Sequence, residues 1–334
     1  MSSLSTLSDF FAKAQLDSWF FNLGRRVSPV TTDNFRAFEQ EQIAWETPQR
    51  GEARVAIVLN DREQPLENSV VWCLALPLDE TGKLMPEPRD GLLRRIAEQL
   101  GERPQGEALS DPLKDNPLSF KPDGFTRAAL HARAGLLLGL PASERMSDAH
   151  QYFTRPESEI EWSTLDYQSV ADMCVRLDAA GTNAMASRIA ELPSQPLEAL
   201  CRLLEQLPSD NEALLKALSA RASKNDDQRL PCLRALLSAS SPVAGQALDT
   251  LLEGTPSTEE LAVVSARGWH LLEHETRLAH YLDALARHPD VDFAACIKDL
   301  AQLPRLRLLV IMTLRNSPRD SVITQRLDEA LGQR

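Results

Sequence analysis

The sequence predicts an α+β protein, in which a small amino-terminal unit of three strands and several helices precedes an all-α, HEAT-like α-solenoid. Two observations lead to this prediction. Of the 18 aromatic residues, 15 fall at or before Tyr167, so the two parts of the chain must fill their cores differently. After about residue 165, apolar stripes with helical spacing recur roughly every 30 residues, which is typical of helical-repeat proteins.

Length and composition support more than one folded region. The chain has 334 residues, of which 43% are hydrophobic and 25% charged, which is typical of ordered globular protein and more than one compact core usually holds. We expect an α+β domain over 1–105, a proline-rich loop, helix and polar connection over 106–164, and the helical-repeat domain over 165–334.

Helix and strand patterns alternate in the amino-terminal region. Two β-branched runs, "ARVAIVLN" and "NSVVWCLALPLD", flank a polar, proline-containing segment and predict an antiparallel hairpin. The resulting order β, α, β, β, α predicts three strands. The expected elements are a helix over 4–14, a strand over 17–27, a helix over 31–45, strands over 53–60 and 68–79, and a helix over 87–101.

The middle of the chain is expected to be less regular. Residues 102–124 contain four prolines and predict a long loop, a kind of segment that is often functional. A helix is predicted over 125–140, followed by a polar connection over 141–162.

The stretch "LEALCRLLEQLP" shows the repeated pattern of the carboxy-terminal region. It places Leu197, Leu200, Cys201, Leu204 and Leu207 on one helical stripe. Similar stripes each contain a cysteine, so we expect these thiols to be buried on the first helices of successive helix pairs. The cysteines are Cys174, Cys201, Cys232 and Cys296, and half of the last interval falls near Val263 and Val264.

Capping residues predict where several of these helices begin. Ser209 with Glu212, and Ser257 with Glu260, have the spacing of a capping box. Pro242 is expected in the first turn of a helix and Gly254 just after its end.

Charge and cysteine content restrict the functional classes. The net charge is −12, which opposes long-range attraction to phosphate, so direct nucleic-acid binding is not expected. The start lacks a signal-peptide pattern, and no apolar run is long enough for a membrane span. Five cysteines without a CxxC pair favour a reducing compartment, and we expect a cytoplasmic location.

Three segments carry a family resemblance. "FNLGRRV", "WCLALPLDETGKL" and "DNPLSFKPDGFTRAALHARAG", followed by the helical tail, resemble an uncharacterised family of gammaproteobacterial cytoplasmic proteins that is named only as a domain of unknown function. The resemblance spans most of the chain. It implies no activity and no assigned catalytic or binding residues.

The carboxy-terminal region contains one candidate interaction site. Trp269 and His270 follow an interruption in the repeat, and tryptophan in such a place is either an interface anchor or a filler of the core. His270 and His274 lie four residues apart, but the glutamate that zincin chemistry requires after the first histidine is absent. Surface histidines are therefore the favoured interpretation, and we expect neither a metal nor an organic cofactor.

Arg25, Arg26 and Asn116 are the candidates in the first region. Two adjacent guanidinium groups can hold a carboxylate or phosphate, but the favoured interpretation is that they pair with nearby acidic side chains. Asn116, in the predicted loop, is the polar group that a site in this region would use.

The leading hypothesis from the sequence is a non-catalytic protein that binds or scaffolds a protein partner through the helical-repeat surface. One alternative is an enzyme with its site between the two regions. Another is an accessory factor of an RNA-modifying or translation enzyme, which requires a local basic stripe. No stretch matches a nucleotide-binding or hydrolase signature.

Overall fold

A computed structural model describes residues 6–100, 113–224 and 226–332. It divides into two compact units. The first extends to Pro141 and includes the short segment Gln302–Pro304, and the second comprises the rest of the chain from Ala142. The predicted loop over 102–124 lies partly outside the described residues.

The first unit is built on a four-stranded antiparallel sheet, with the strand order β2-β1-β3-β4. The predicted hairpin is confirmed as β3 and β4. The elements are α1 (Leu7–Lys13), β1 (Leu16–Asn22), β2 (Ser28–Val30), α2 (Thr32–Glu39), β3 (Glu52–Asp61), β4 (Val70–Pro77), α3 (Pro86–Leu100) and α4 (Gly124–Leu137).

One face of the sheet forms an aromatic core. Phe20, Ile57 and Trp72 lie side by side on β1, β3 and β4 and are at most 2% exposed. Phe35 of α2 stacks on Phe20 with ring centroids 4.1 Å apart. Stacked and edge-on aromatic pairs add to the free energy of burial, which explains why this small unit contains most of the aromatic residues.

The prediction of three strands is wrong, because the expected strand over 17–27 ends at Asn22 as β1, and a second strand begins after a turn, at Ser28. The second, β2, has only three residues and contains Pro29. Such a short edge strand shows no apolar alternation, and proline is tolerated at a sheet edge. The helix predicted over 31–45 ends at Glu39, and the left-handed Glu41 (φ +58°) follows it.

The second unit is helical throughout its described residues. It begins with the helix α5 (Met146–Thr154), which lies in the segment 141–162 that was predicted to be a polar connection. The elements are α5 (Met146–Thr154), α6 (Tyr167–Arg176), α7 (Ala179–Arg188), α8 (Ser194–Leu204), α9 (Glu212–Lys224), α10 (Asp226–Leu237), α11 (Pro242–Glu253), α12 (Thr258–Arg267), α13 (Glu275–Ala286), α14 (Phe293–Gln302), α15 (Pro304–Asn316) and α16 (Val322–Gly332).

Alternate helices of this unit pack against one another. α8 contacts α6 and α10, and α10 also contacts α12, while α9 contacts α7 and α11, and α11 contacts α13. The cysteines follow the same alternation, since they lie on α6, α8, α10 and α14. Cys201 and Cys232 are fully buried as predicted, whereas Cys174 and Cys296 are only half-buried.

Candidate functional site: a cleft between three helices

The loop between β1 and β2 contains Arg25 and Arg26. Arg25 is 4% exposed, and its Nε donates a hydrogen bond of 3.0 Å to the carbonyl oxygen of Pro48. Arg26 is half-buried. Burial and the charge of Arg26 lower the pKa of the Arg133 guanidinium on α4. The hypothesis that Arg25 and Arg26 hold a carboxylate or phosphate stays a prediction.

The residues just before these arginines, Asn22 and Gly24, shape the backbone of the loop. The side-chain oxygen of Asn22 accepts hydrogen bonds from Gly24 N (3.2 Å) and Trp45 Nε1 (3.3 Å), and its amide nitrogen donates to Arg26 O (3.0 Å). A Cβ at Gly24 would lie 2.7 Å from the carbonyl oxygen of Thr47. Only glycine fits this close approach, so the "NLGRR" segment has a structural role.

Asn116 also stabilises a loop. It is 8% exposed, and its Oδ1 accepts a hydrogen bond of 2.9 Å from Leu118 N. The carbonyl oxygen of Leu118 in turn accepts a hydrogen bond from Ala75 N of β4. Asn116 therefore holds its segment against the sheet, which accounts for its burial without a ligand.

Trp269 and His270 lie in a single 3-10 turn, Trp269–Leu272, between α12 and α13. Trp269 is 7% exposed, and its ring meets the His270 ring edge-on at 5.4 Å. His270 Nε2 lies 3.0 Å from the carbonyl oxygen of Ala239. This burial favours the core interpretation of Trp269 over the interface anchor. His274 is exposed.

Most of the thiols are chemically quiet. Cys201 on α8 and Cys232 on α10 are neighbours, and the hydrogen bond with Cys232 together with complete burial raises the pKa of the Cys201 thiol, whereas the hydrogen bond with Cys201 lowers the pKa of the Cys232 thiol. Burial raises the pKa of Cys73 to about 11 and that of Cys174 to about 12. Because the thiolate is the reactive species, Cys73, Cys174 and Cys201 are poor nucleophiles at neutral pH.

An ion-pair network joins the alternate helices α8, α10 and α12. The Glu205 carboxylate is only 4% exposed, and it accepts hydrogen bonds from Arg234 Nε (2.8 Å) and Arg267 Nη2 (2.9 Å). These three residues follow or belong to α8, α10 and α12. A buried carboxylate with two guanidinium partners fixes the register of the helices that carry them.

Polar contacts between helices recur at sequence separations of 28 to 34 residues. They are hydrogen bonds or ion pairs from one helix pair to the next, and their spacing matches the apolar repeat of the sequence. They are Asn211–Asn183, Arg277–Asp249, Arg221–Leu192, Arg234–Glu205, Ser240–Asp210, Arg229–Glu260, His270–Ala239 and Gln228–Ser194.

The candidate site is a cleft of about 460 Å³ enclosed by α9, α10 and α11, which we call the α9–α11 cleft. Its size falls in the range of ligand sites in proteins. It is lined by Lys216, Ser219, Ala220, Ala222, Ser223, Arg229, Leu233, Leu236, Val243, Gln246, Ala247, Thr250 and Leu251.

Small side chains make the cleft accessible to a polypeptide backbone. Ala220 and Ser223 of α9 and Ala247 of α11 leave space between the two helices, and the buried Leu233 and Leu236 of α10 provide an apolar floor. Such an arrangement lets a bound chain approach closely while its apolar side chains contact leucine.

The rim of the cleft is polar. Gln246 and Thr250 are exposed, and both can exchange hydrogen bonds with a peptide backbone. The two cations of the lining already have partners. Lys216 pairs with Glu212, and Arg229 pairs with Glu260 at 2.5 Å. The cleft therefore suits a ligand with little net charge.

Sequence reasoning missed this cleft. The residues that could have indicated it are Ala220 and Ser223, which lie on the exposed side of α9, opposite the buried leucines of the same helix. Small residues on an exposed helical face are common, and only the packing of α11 beside α9 turns them into a cleft.

The described residues also lack a cluster of metal ligands and a membrane span. In residues 6–100, 113–224 and 226–332, no three or more His, Cys, Asp or Glu side chains lie where they can hold a metal ion. Over the same ranges, every helix is too short or too polar to cross a bilayer.

An amino-terminal antiparallel sheet followed by many helices places the molecule in the α+β class. Over residues 2–333 the chain matches the family described as "Protein of unknown function (DUF3549)", and it belongs to that family. The family predicted from the sequence is thus confirmed as an uncharacterised domain family. No curated protein matches the chain. No solved structure matches it.

Proposed function

We propose that this chain is a non-catalytic protein-binding molecule of the bacterial cytoplasm, and that its α9–α11 cleft receives an extended segment of a partner protein. The cleft is the observation that carries the proposal. An apolar floor, walls of small side chains and a polar rim whose two cations are paired suit a peptide backbone with modest apolar side chains.

The proposal includes a HEAT-like α-solenoid for the second unit. Two sets of alternating helices support it, since α6, α8, α10 and α12 contact one another in turn, as do α7, α9, α11 and α13. The polar contacts at separations near 30 residues support it as well. In such arrays, neighbouring second helices flank grooves along which peptides bind. The free thiols support the reducing compartment, since disulfides are rare there.

The test fills the cleft with one large side chain. Ala220 is exposed and lines the cleft, so Ala220→Trp obstructs it without entering the core. Ala262 on α12 is also exposed and lies outside the lining, and Ala262→Trp is the matched control. Tagged proteins are produced in the host that encodes the chain, and co-purifying proteins are quantified by mass spectrometry.

We expect one set of proteins to be enriched with the unchanged chain and with Ala262→Trp, and depleted at least fivefold, which corresponds to about 1 kcal/mol, with Ala220→Trp. Equal enrichment with both tryptophan variants would exclude the cleft. Enrichment of nothing above a tag-only control would contradict a protein-binding function.

A further inference from the structure

We propose that α15 presents a second docking face, which binds an acidic amphipathic segment of another protein. This inference rests on the proposed protein-binding function but uses a surface other than the α9–α11 cleft. The face consists of Arg305, Leu308, Ile311, Met312 and Arg315, and we call it the α15 face.

The spacing of these residues puts them on one side of the helix. At 100° per residue they span about 120° of the helix circumference. Leu308, Ile311 and Met312 are 68%, 51% and 43% exposed. Three large aliphatic side chains in a row on one exposed helical face are unusual for a protein surface and typical of interaction sites.

The apolar side chains of α15 point in two directions. Leu306 and Val310 are fully buried, so the packing of this helix into the second unit is already satisfied. Leu308, Ile311 and Met312 therefore form an additional apolar face, which the internal packing of α15 does not require.

Cations lie at both ends of this face. Arg305 is 70% exposed and makes one long contact of 3.4 Å with Glu273, and Arg315 is exposed. They are ten residues apart, or about 15 Å along the helix. No acidic residue occurs between Pro304 and Arg319, although the whole chain has a net charge of −12. The segment itself therefore carries a net positive charge.

This pattern specifies the chemistry of the occupant. A helical segment with aliphatic side chains between carboxylates about three turns apart would bury the apolar centre and pair with both guanidinium groups. Methionine and arginine are enriched at protein interfaces. A phosphate backbone would pair with the arginines but leave the three apolar side chains in water.

An anionic membrane fits less well. The segment Pro304–Asn316 has none of the aromatic side chains that anchor interfacial helices. The surface potential of a bilayer acts on the whole facing side of the protein, and a net charge of −12 opposes that approach. A peptide contacts only the α15 face, so most of this repulsion is screened over the Debye length.

The experiment uses the full chain and a synthetic peptide. The probe is a fluorescein-labelled, helix-forming peptide of about 16 residues. Three leucines lie on one face of its helix, and a glutamate lies at each end of that face, so that the two carboxylates are about three turns apart, like Arg305 and Arg315. The control peptide replaces each glutamate with lysine. Fluorescence anisotropy measures binding to the protein at low and high salt.

We expect the glutamate peptide to bind at least tenfold more tightly than the lysine peptide, and to lose affinity as salt rises. The double variant Leu308→Ser/Ile311→Ser should reduce binding at least tenfold. The matched control is Leu136→Ser/Leu137→Ser on α4, where the side chains are 44% and 54% exposed, and it should bind normally. Unchanged far-UV circular dichroism would show that both variants fold.

Charge exchange gives a second measurement. Arg305→Glu/Arg315→Glu should reverse the preference, so that the lysine peptide binds more tightly than the glutamate peptide. Equal binding of the two peptides, or binding that survives the Leu308→Ser/Ile311→Ser change, would overturn the proposal.

Three other outcomes would also reject it. They are no peptide binding at all, binding to phosphatidylglycerol vesicles that Leu308→Ser/Ile311→Ser abolishes, and self-association in sedimentation that the same variant abolishes. The last two assign the face to a membrane or to a second copy. If the peptide fails while Ala220→Trp still depletes the partner proteins, this inference falls and the proposed function stands.

Discussion

Individual side chains determine how the second unit holds its helices in place. The side chain of Glu205 is 4% exposed and pairs with both Arg234 and Arg267. Removing this buried carboxylate would take from the two guanidinium groups the acceptor that they share. Leu204, immediately before it, is also 4% exposed, so one turn of α8 contributes both apolar burial and a polar contact across helices.

Leu204→Ala should lower the free energy of unfolding by about 2 to 5 kcal/mol, because it removes buried apolar surface and leaves a cavity. Denaturant unfolding measures this change. Leu308→Ala is the control, since Leu308 is 68% exposed and its loss should cost less than about 0.5 kcal/mol. A cost below that value for Leu204→Ala would contradict its burial in α8.

For individual residues, apolar spacing predicted correctly which leucines are buried, whereas the capping motifs predicted hydrogen-bond partners less well. Leu197, Leu200 and Leu207 are buried as the stripe requires. The predicted capping box of Ser209 and Glu212 is wrong. Asn211 caps α9 instead, since its Oδ1 accepts a hydrogen bond from Leu214 N. Neighbouring residues with capping side chains compete, and the sequence alone does not rank them.

At the scale of whole elements, the cap of one helix can also link it to another helix. α12 begins with the predicted capping box, in which Ser257 Oγ accepts from Glu260 N (3.2 Å) and Glu260 Oε2 accepts from Ser257 N (2.8 Å). Glu260 also pairs with Arg229 of α10 at 2.5 Å. The cap therefore positions a side chain that links two helices.

Ser257→Ala should cost about 1 kcal/mol, because it leaves the Glu260 N–H without its capping acceptor. Thermal or denaturant unfolding measures the loss. Ser265→Ala, on the last part of the same helix, is the control and should change stability by no more than about 0.5 kcal/mol. Similar losses from the two substitutions would show that the cap does not stabilise α12.

Elements with long apolar patterns were predictable, and short ones were not. The strands β3 and β4 have continuous β-branched runs and were predicted within two residues of their ends. The strand β2 and the helix α5 were missed because they bury few side chains. In α5 only Ala149 and Phe153 are buried. Their conformations depend on tertiary contacts that the local sequence does not encode.

Across the whole molecule, the repeat in the sequence was easier to detect than the surfaces it creates. A period near 30 residues predicted alternating helices, and the contacts between α8, α10 and α12 follow it. Neither the α9–α11 cleft nor the α15 face follows from the period, because each depends on which exposed side chains adjacent helices bring together.

All five cysteines provide a test of packing in both units, since each is buried or half-buried. At pH 8 the native protein should react slowly with a thiol reagent such as dithiobisnitrobenzoate, while the protein in guanidinium should release five equivalents at once. For Cys73, whose pKa is raised by burial to about 11, the thiolate is a minor species at pH 8, and its labelling rate should rise about tenfold per pH unit up to that value.

The same pKa shift predicts a loss of stability in alkali. A thiol with a raised pKa in the folded state binds its proton more tightly there than in the unfolded chain, so its stabilisation is fully present below about pH 9 and is lost as the pH rises to about 11. The loss for Cys73 should be on the order of 2 kcal/mol, at about 1.4 kcal/mol per pKa unit. Denaturant unfolding of the chain and of Cys73→Ser at pH 8 and pH 11 isolates it, because the other titrating groups are common to both. Parallel losses in the two proteins, or rapid labelling of Cys73 at pH 8, would contradict the burial of this thiol on β4.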